Sequence, residues 1–264
     1  MHINLRKSLF ILPNLFTLSS IFCGFYAIVL AGTAPSQDNF YRASLLIIFA
    51  MFFDMIDGRV ARLTRTQSAF GMEIDSLADV VSFGVAPALL VYSWSLAPLG
   101  TLGVFVCFAY VACGAIRLAR FNVLATDTSG RQKKPSKYIL GLPIPGAAGI
   151  LVSLIAANHA MNGQLAVARV PVAAMMIALS FFMVSTIKFR SFKDLGLSWR
   201  TGLLVVLAVG SGVVMAITVH VAVALGWMLT SYVAIGLVET ILGLVRRLSG
   251  TPAKTEEEDP AKAN

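Results

Sequence analysis

Four aspartates within the stretch DMIDGRVARLTRTQSAFGMEIDSLAD are the residues whose types and spacing point most directly to chemistry. Asp54 and Asp57 are three residues apart, and Asp75 and Asp79 are four apart. On an α-helix, either spacing places both carboxylates on the same face. Carboxylate oxygens with no histidine or cysteine beside them are typical ligands of Mg²⁺ or Mn²⁺ rather than of zinc. Four carboxylates match the ligand set of two divalent ions that assist phosphoryl transfer.

The residues between the two aspartate pairs favour a phosphorylated ligand. Gly58 and Ala61 follow Asp57 on the same predicted helix, and their small size would let a ligand approach the backbone. Arg62 supplies a guanidinium that can bind phosphate in a bidentate manner. Interfacial ion pairs would explain any one of these charges. They would not explain the set, because carboxylates at this density repel one another unless cations neutralise them.

These residues lie in a strongly hydrophobic chain. Of its 264 residues, 57% are hydrophobic and 13% are charged, whereas about a quarter of a soluble domain is charged. Apolar runs of about 20 residues recur along the chain, as a bilayer-spanning helix requires. The sequence therefore predicts an all-α polytopic membrane protein, folded as one bundle. The predicted spans are 11–32, 41–61, 76–97, 101–121, 141–160, 166–187, 202–220 and 224–245.

The distribution of positive charge predicts how the bundle is oriented. Of the 21 Lys and Arg residues, all but Arg42 and Arg169 lie on one side of the eight predicted spans. By the positive-inside rule this side is cytoplasmic, which places both termini inside and the protein in the cytoplasmic membrane. Topology and attraction to anionic lipid headgroups explain the net charge of +8, so this charge does not indicate a nucleic-acid partner.

The same arrangement places the four aspartates at the cytoplasmic surface. Asp54 and Asp57 lie at the end of the second span, and Asp75 and Asp79 lie at the start of the third. We expect a short turn that contains Gly71 to join these two helices as antiparallel neighbours. All four carboxylates would then meet in one pocket at the membrane surface.

The order Asp-x2-Asp-Gly-x2-Ala-Arg-x8-Gly-x3-Asp-x3-Asp resembles the signature of the CDP-alcohol phosphotransferase family at every fixed position. The resemblance implies that the first three aspartates are metal ligands and that Asp79 is the general base. We also count Asp79 among the metal ligands, as the fourth carboxylate around two Mg²⁺ or Mn²⁺ ions. The resemblance further implies a CDP site lined by Gly58, Ala61, Arg62 and Gly71.

The resemblance also implies a domain organisation. A six-helix family core would cover residues 1–190, with about two additional transmembrane helices in residues 191–247. Residues 248–264 are polar and charged, and we expect them to form a disordered tail. Members of this family are usually homodimers, so we expect a homodimer here.

Two further stretches bear on the acceptor alcohol. LPNLFTLSSIFCGF carries Asn14 and Thr17 near the cytoplasmic end of the first span, and GAIRLARFNV places Arg117 and Arg120 on one helical face. With the later GLPIPG, they resemble the branch of the family that uses serine. Asn14 and Thr17 would then contribute to a CDP-diacylglycerol site, and Arg117, Arg120 and Asn122 to a serine site. Two arginines suit a carboxylate, although simple membrane anchoring would also explain them.

We therefore expect phosphatidyl transfer from CDP-diacylglycerol to the hydroxyl of L-serine, and two alternatives stay open. Glycerol 3-phosphate could replace serine as the acceptor within the same family. A divalent-cation transporter could instead use the aspartates as a permeation site, but it would place them near the membrane midplane beside broken helices. The predicted aspartates lie at one interface.

Overall fold

A computed structural model describes residues 5–64, 66, 68–125, 138–163 and 168–190, together with residues 207, 209–212, 214, 216–217, 223–231 and 233–234. Between residues 5 and 190, the described residues form seven α-helices. They are α1 (Leu5–Thr33), α2 (Gln37–Leu63), α3 (Ala69–Asp79), α4 (Ala86–Val91), α5 (Thr101–Ala125), α6 (Ile144–Ala160) and α7 (Arg169–Val184).

The helices α3 and α4 belong to one continuous helical rod, Ala69–Leu99. A π-helical segment, Val80–Val85, connects them. A second π-helical segment, Tyr92–Leu96, and a short 3₁₀ turn, Ala97–Leu99, complete the rod. The sequence reading did not predict either π-helical segment.

The turn between α2 and α3 lies earlier than the sequence predicts. Ser68 caps the N-terminus of α3, because its Oγ accepts a hydrogen bond from the backbone N–H of Gly71 at 3.0 Å. Gly71 is therefore inside the first turn of α3, and the connection lies between Leu63, where α2 ends, and Ala69. The expectation that Gly71 lies in the turn was wrong, and the third span starts at Ala69 rather than at residue 76.

Three helical segments in the described part of the chain are long and apolar enough to cross a bilayer: Pro13–Thr33, Ala69–Leu99 and Thr101–Leu124. The protein is therefore a helical membrane protein. Helices α6 and α7 are apolar but have only 17 and 16 residues, short of the roughly 20 that a straight span needs. Most of the predicted spans 202–220 and 224–245, and all of the tail 248–264, lie outside the described residues.

Small side chains let α1 and α2 pack closely along their length. Ala27 and Ala31 of α1, and Ala43 and Ala50 of α2, are buried, with Ala27, Ala43 and Ala50 at 0% exposure. Close backbone approach through small residues is the usual way for helices to associate in a membrane. Helices α2 and α6 also pack together, as do α5 and α7. Helix α1 therefore packs against both of the helices that carry the aspartates, α2 and α3.

A short pair of antiparallel strands, β1 (Tyr138–Leu140) and β2 (Lys188–Arg190), joins the segment that precedes α6 to the end of α7. The pairing continues beyond β1, since the N–H of Gly141 donates to the carbonyl of Ile187 at 2.9 Å. The sequence reading did not include this pair, because it joins segments about 50 residues apart.

Candidate active site

Helices α2 and α3 bring the aspartates of the signature together. Carboxylate oxygens of Asp54, Asp57 and Asp75 lie within 4.8 Å of one another. The Asp54 carboxyl group is also within hydrogen-bonding distance of those of Asp75 and Asp79. The i, i+3 spacing on α2 and the i, i+4 spacing on α3 place each pair of carboxylates on one helical face. These two faces meet in one cluster.

Helix α1 contributes a hydroxyl group to this aspartate cluster. Thr17 Oγ1 donates a hydrogen bond to Asp57 Oδ2 at 2.7 Å, and it lies 3.2 Å from the Pro13 carbonyl oxygen. Both Thr17 and Asp57 are buried, at 4% and 5% exposure. The resemblance assigned Thr17 to the CDP-diacylglycerol site; in the structure its hydroxyl also fixes the orientation of a carboxylate.

The aspartate cluster has the composition of a divalent-cation site. Asp75 Oδ1 and Asp79 Oδ1 are buried, and no hydrogen-bond donor from the described residues reaches either atom. Buried carboxylate oxygens without a donor are costly, and a bound cation removes this cost. Since the nearby ligands are all oxygens, the residues fit a hard cation such as Mg²⁺ or Mn²⁺.

An open cleft of about 180 Å³ adjoins the aspartate cluster. Its walls come from α1, α2, α3 and the α2–α3 turn, and they include every residue that the resemblance assigned to the donor: Asn14, Thr17, Gly58, Ala61, Arg62 and Gly71. Asp57 and Asp75 form the wall that the cleft shares with the aspartate cluster. The guanidinium of Arg62 is close enough to Asp57 for electrostatic attraction. Because Arg62 also lines the cleft, its positive charge can attract an anionic group of a ligand there.

The cleft also contains three residues that the sequence reading did not single out: Thr66, Ser68 and Met72. Thr66 is buried, and its hydroxyl is 2.8 Å from that of Thr64. For Thr66 and Ser68, the position between Arg62 and Gly71 was the available signal, because a short connection between two site helices must itself lie beside the site. Met72 directly follows Gly71 on α3.

Helix α5 carries the three residues assigned to serine, and the structure distributes them differently. Arg117 is buried and close enough to Asp79 for electrostatic attraction. Asn122 Nδ2 donates to Ser76 Oγ on α3 at 2.8 Å. Arg120 is exposed, and its Nη1 donates to the Val184 carbonyl oxygen at the end of α7, at 3.3 Å. The structure thus groups Arg117 with the aspartates and places Arg120 against α7.

A family model for CDP-alcohol phosphatidyltransferases matches residues 10–244. The chain belongs to this family. The match covers the aspartate cluster, the cleft and α5. It also agrees with the resemblance that the aspartate signature suggested.

Curated members of the family are similar to this chain over most of its length. The CDP-diacylglycerol–serine O-phosphatidyltransferase of Helicobacter pylori (strain ATCC 700392 / 26695) is 39% identical over 204 residues, which cover 76% of this chain and 80% of the relative. The protein of the same name from Bacillus subtilis (strain 168) is 37% identical over 182 residues, 69% of this chain and 91% of the relative. The archaetidylserine synthase of Methanothermobacter thermautotrophicus is 35% identical over 189 residues, 71% of this chain and 72% of the relative.

Proposed function

We propose that this chain transfers the phosphatidyl group of CDP-diacylglycerol to the hydroxyl of L-serine, which yields phosphatidylserine and CMP. The observation that carries the proposal is the convergence of four carboxylates beside a cleft that also contains Arg62. Serine occurs in the names of all three relatives, which favours serine over glycerol 3-phosphate as the acceptor. Family membership likewise favours an enzyme over a cation transporter.

The cleft would hold the headgroup of the donor. Gly58, Ala61 and Gly71 present little or no side chain to it, so a nucleotide can approach the helix backbones. Arg62 would bind a phosphate oxygen of the donor. Asn14 of α1 would form part of the cleft wall around the donor headgroup. The acyl chains would stay in the bilayer while the headgroup reaches the cleft at the membrane surface.

Two Mg²⁺ or Mn²⁺ ions, when bound, would polarise the pyrophosphate oxygens and stabilise charge on the leaving group. Asp54, Asp57 and Asp75 would hold them, with Thr17 fixing the orientation of Asp57. Asp79 Oδ1 would accept the proton of the serine hydroxyl. The serine oxygen then forms a bond to the phosphorus that carries diacylglycerol. The bond from this phosphorus to the CMP oxygen breaks, and CMP leaves with the electron pair.

Arg117 is the cation best placed to attract the carboxylate of serine. Its guanidinium is close enough to Asp79, the proposed base, for electrostatic attraction. A carboxylate bound there would bring the serine hydroxyl towards Asp79. The asparagine Asn122 holds α5 against α3 through Ser76, and so would maintain the distance between Arg117 and the cluster.

The membrane arrangement is also part of the proposal. The positive-inside rule supports a cytoplasmic location for the aspartate cluster and for both termini. The resemblance to the family supports a homodimer and a six-helix core, with further transmembrane helices in residues 191–247. A cytoplasmic site agrees with the chemistry, because serine and CMP are both water-soluble.

The proposed function is tested by product identification. Purified protein is supplied with CDP-diacylglycerol, Mg²⁺ and labelled serine or labelled glycerol 3-phosphate, separately and in competition, and the lipid product is identified by mass spectrometry. We expect phosphatidylserine and an equal amount of CMP, no product with EDTA, and recovery with Mg²⁺ or Mn²⁺. Phosphatidylglycerophosphate formed in the absence of any phosphatidylserine would assign the chain to the alternative acceptor. Full activity in chelator would contradict the metal site.

A further inference from the structure

The helix that carries Asp79 changes its hydrogen-bonding pattern directly after this residue. The π-helical segment begins at Val80, and the N–H of Ala86 donates to the carbonyl of Val81, five residues earlier. A π-helical turn contains one more residue than an α-helical turn. Because one residue of an α-helix corresponds to about 100° of rotation, the extra residue turns Asp79 relative to the helix beyond the segment. Such segments occur often at functional sites.

Pro87 explains why the segment forms at this place. In a regular α-helix the N–H of residue 87 would donate to the carbonyl of Phe83, but proline has no N–H and its ring crowds that carbonyl. Within a membrane, a freed carbonyl must find another donor. Tyr110 of α5 supplies it: its hydroxyl donates to the Phe83 carbonyl oxygen at 3.2 Å, and its side chain is completely buried.

Helix α1 holds the π-helical segment from the other side. Ser82 Oγ donates to the Ser20 carbonyl oxygen at 3.0 Å, and the two serine hydroxyls are 3.4 Å apart. Gly24 makes this approach possible, since a Cβ at that position would lie 2.8 Å from Ser82 Cα. Ser82 and Phe83 are thus fixed to two different helices, one turn after Asp79.

We propose that Tyr110 is a positioning residue for Asp79, with Ser82 as a second anchor of the same segment. The proposal rests on the proposed function, in which Asp79 is the general base. A π-helical segment interrupts the regular helix, so the packing of α4 alone does not determine how Asp79 is rotated about the helix axis. The Tyr110–Phe83 and Ser82–Ser20 hydrogen bonds fix this rotation, and they hold Asp79 towards Asp54 on α2.

The test compares Tyr110→Phe, which removes only the hydroxyl, with the wild type. The rate constant kcat is expressed per CDP-binding site, counted by titration with CDP, so that misfolded protein does not enter the value. We expect kcat to fall about tenfold or more, because small displacements of a catalytic group are costly. The KM values for CDP-diacylglycerol and serine should stay within about threefold, since the binding groups are unchanged. Tyr41→Phe is the matched control, because it removes the same hydroxyl group near the start of α2, far from the aspartates at the end of that helix. It should keep the wild-type kcat.

A double variant separates positioning from simple stabilisation. Pro87→Ala restores an N–H that can bond to the Phe83 carbonyl, so Pro87→Ala combined with Tyr110→Phe should recover the thermal midpoint in detergent. It should not recover kcat, because a regular α-helix at this point rotates Asp79 away from Asp54. Recovery of both quantities would overturn the proposal and leave Tyr110 with a structural role only.

Ser82→Ala provides the same test through the second anchor, and it decides the matter if Tyr110→Phe does not fold. We expect a fall in kcat per CDP-binding site with little change in either KM. Wild-type kcat in Ser82→Ala and in any folded Tyr110→Phe protein would overturn the proposal. If the wild type forms no phosphatidylserine, both the proposed function and this proposal are overturned. If the wild type is active and the variants have the same kcat, only this proposal is overturned.

Discussion

The hydroxyl group of Thr17 acts on the aspartate cluster through a single hydrogen bond to Asp57. Residues that orient a metal ligand typically change metal affinity about 10- to 100-fold when they are replaced. We therefore expect Thr17→Val, which keeps the shape of the side chain, to raise the concentration of Mn²⁺ needed for half-maximal binding by about this factor. Electron paramagnetic resonance of free Mn²⁺ measures this binding without reference to turnover.

Thr33→Val is the matched control for Thr17→Val. Thr33 also lies on α1, but its hydroxyl donates only to its own helix, to the Val29 carbonyl oxygen at 2.7 Å. It should bind Mn²⁺ as the wild type does. Equal Mn²⁺ affinity in Thr17→Val and Thr33→Val would show that the bond to Asp57 does not orient a metal ligand.

The two arginines of α5 should differ in their effect on serine. A charge-assisted hydrogen bond contributes about 1.5–3 kcal/mol, so loss of a true carboxylate partner should raise the serine KM about 10- to 150-fold. We expect this change for Arg117→Ala. For Arg120→Ala we expect a smaller rise, since Arg120 is exposed and already bonded to the end of α7. Steady-state kinetics at saturating CDP-diacylglycerol measure both values. A wild-type serine KM in Arg117→Ala would show that serine does not bind at Arg117.

At the residue scale, sequence reasoning found the groups but not all of their contacts. Spacing along one helix predicts that Asp54 and Asp57 share a face, and the short connection from α2 to α3 predicts that Asp75 lies near them. The contact of Thr17 with Asp57 spans 40 residues and depends on how α1 packs against α2. No periodicity in one sequence reports that packing. The same reason explains why Arg117 and Arg120 could not be told apart.

Gly141 is the residue on which the connection between β1 and α6 most depends. Its φ of 74° lies in the left-handed region, and a Cβ here would meet the carbonyl oxygen of Met183. We expect Gly141→Ala to destabilise the protein by about 2 kcal/mol or more. This corresponds to a fall of several degrees in the thermal midpoint in detergent.

Gly32→Ala is the control for this substitution. Gly32 lies near the end of α1, and a Cβ there would meet nothing within 4 Å. Alanine also favours a helix over glycine by about 1 kcal/mol, so the thermal midpoint should stay the same or rise slightly. If Gly141→Ala behaved like Gly32→Ala, the close approach of residue 141 to the end of α7 would be refuted.

At the element scale, apolar length predicted the helices well and their irregularities poorly. The helix α5 begins at Thr101, as predicted, because an apolar run and a glycine-containing boundary coincide there. Both π-helical segments precede a proline of the same rod, Pro87 or Pro98. A proline predicts a disturbed helix, but whether the chain responds with a kink or a π-helical segment depends on which neighbour can satisfy the freed carbonyl.

For the whole molecule, hydrophobic composition was enough to predict a helical membrane protein, and the aspartate signature was enough to predict its family. Eight full spans were expected, but α6 and α7 are shorter than a straight span. The lengths were overestimated because apolar residues continue past the helix ends into the connections. The cytoplasmic orientation, which the charge asymmetry predicts, and the homodimer both remain predictions.

In the proposed reaction, the aspartate cluster supports transfer of a phosphatidyl group to serine, with Asp79 as the base. The most direct measurement is the rate of phosphatidylserine formation by Asp79→Asn protein at saturating CDP-diacylglycerol, serine and Mg²⁺, per CDP-binding site. Glu73→Gln removes an exposed carboxylate from the same helix and is the control. We predict that Asp79→Asn loses at least about 100-fold in rate while it binds CDP as the wild type does, and that Glu73→Gln keeps full activity. Turnover of Asp79→Asn within about threefold of the wild type would show that Asp79 is not the general base.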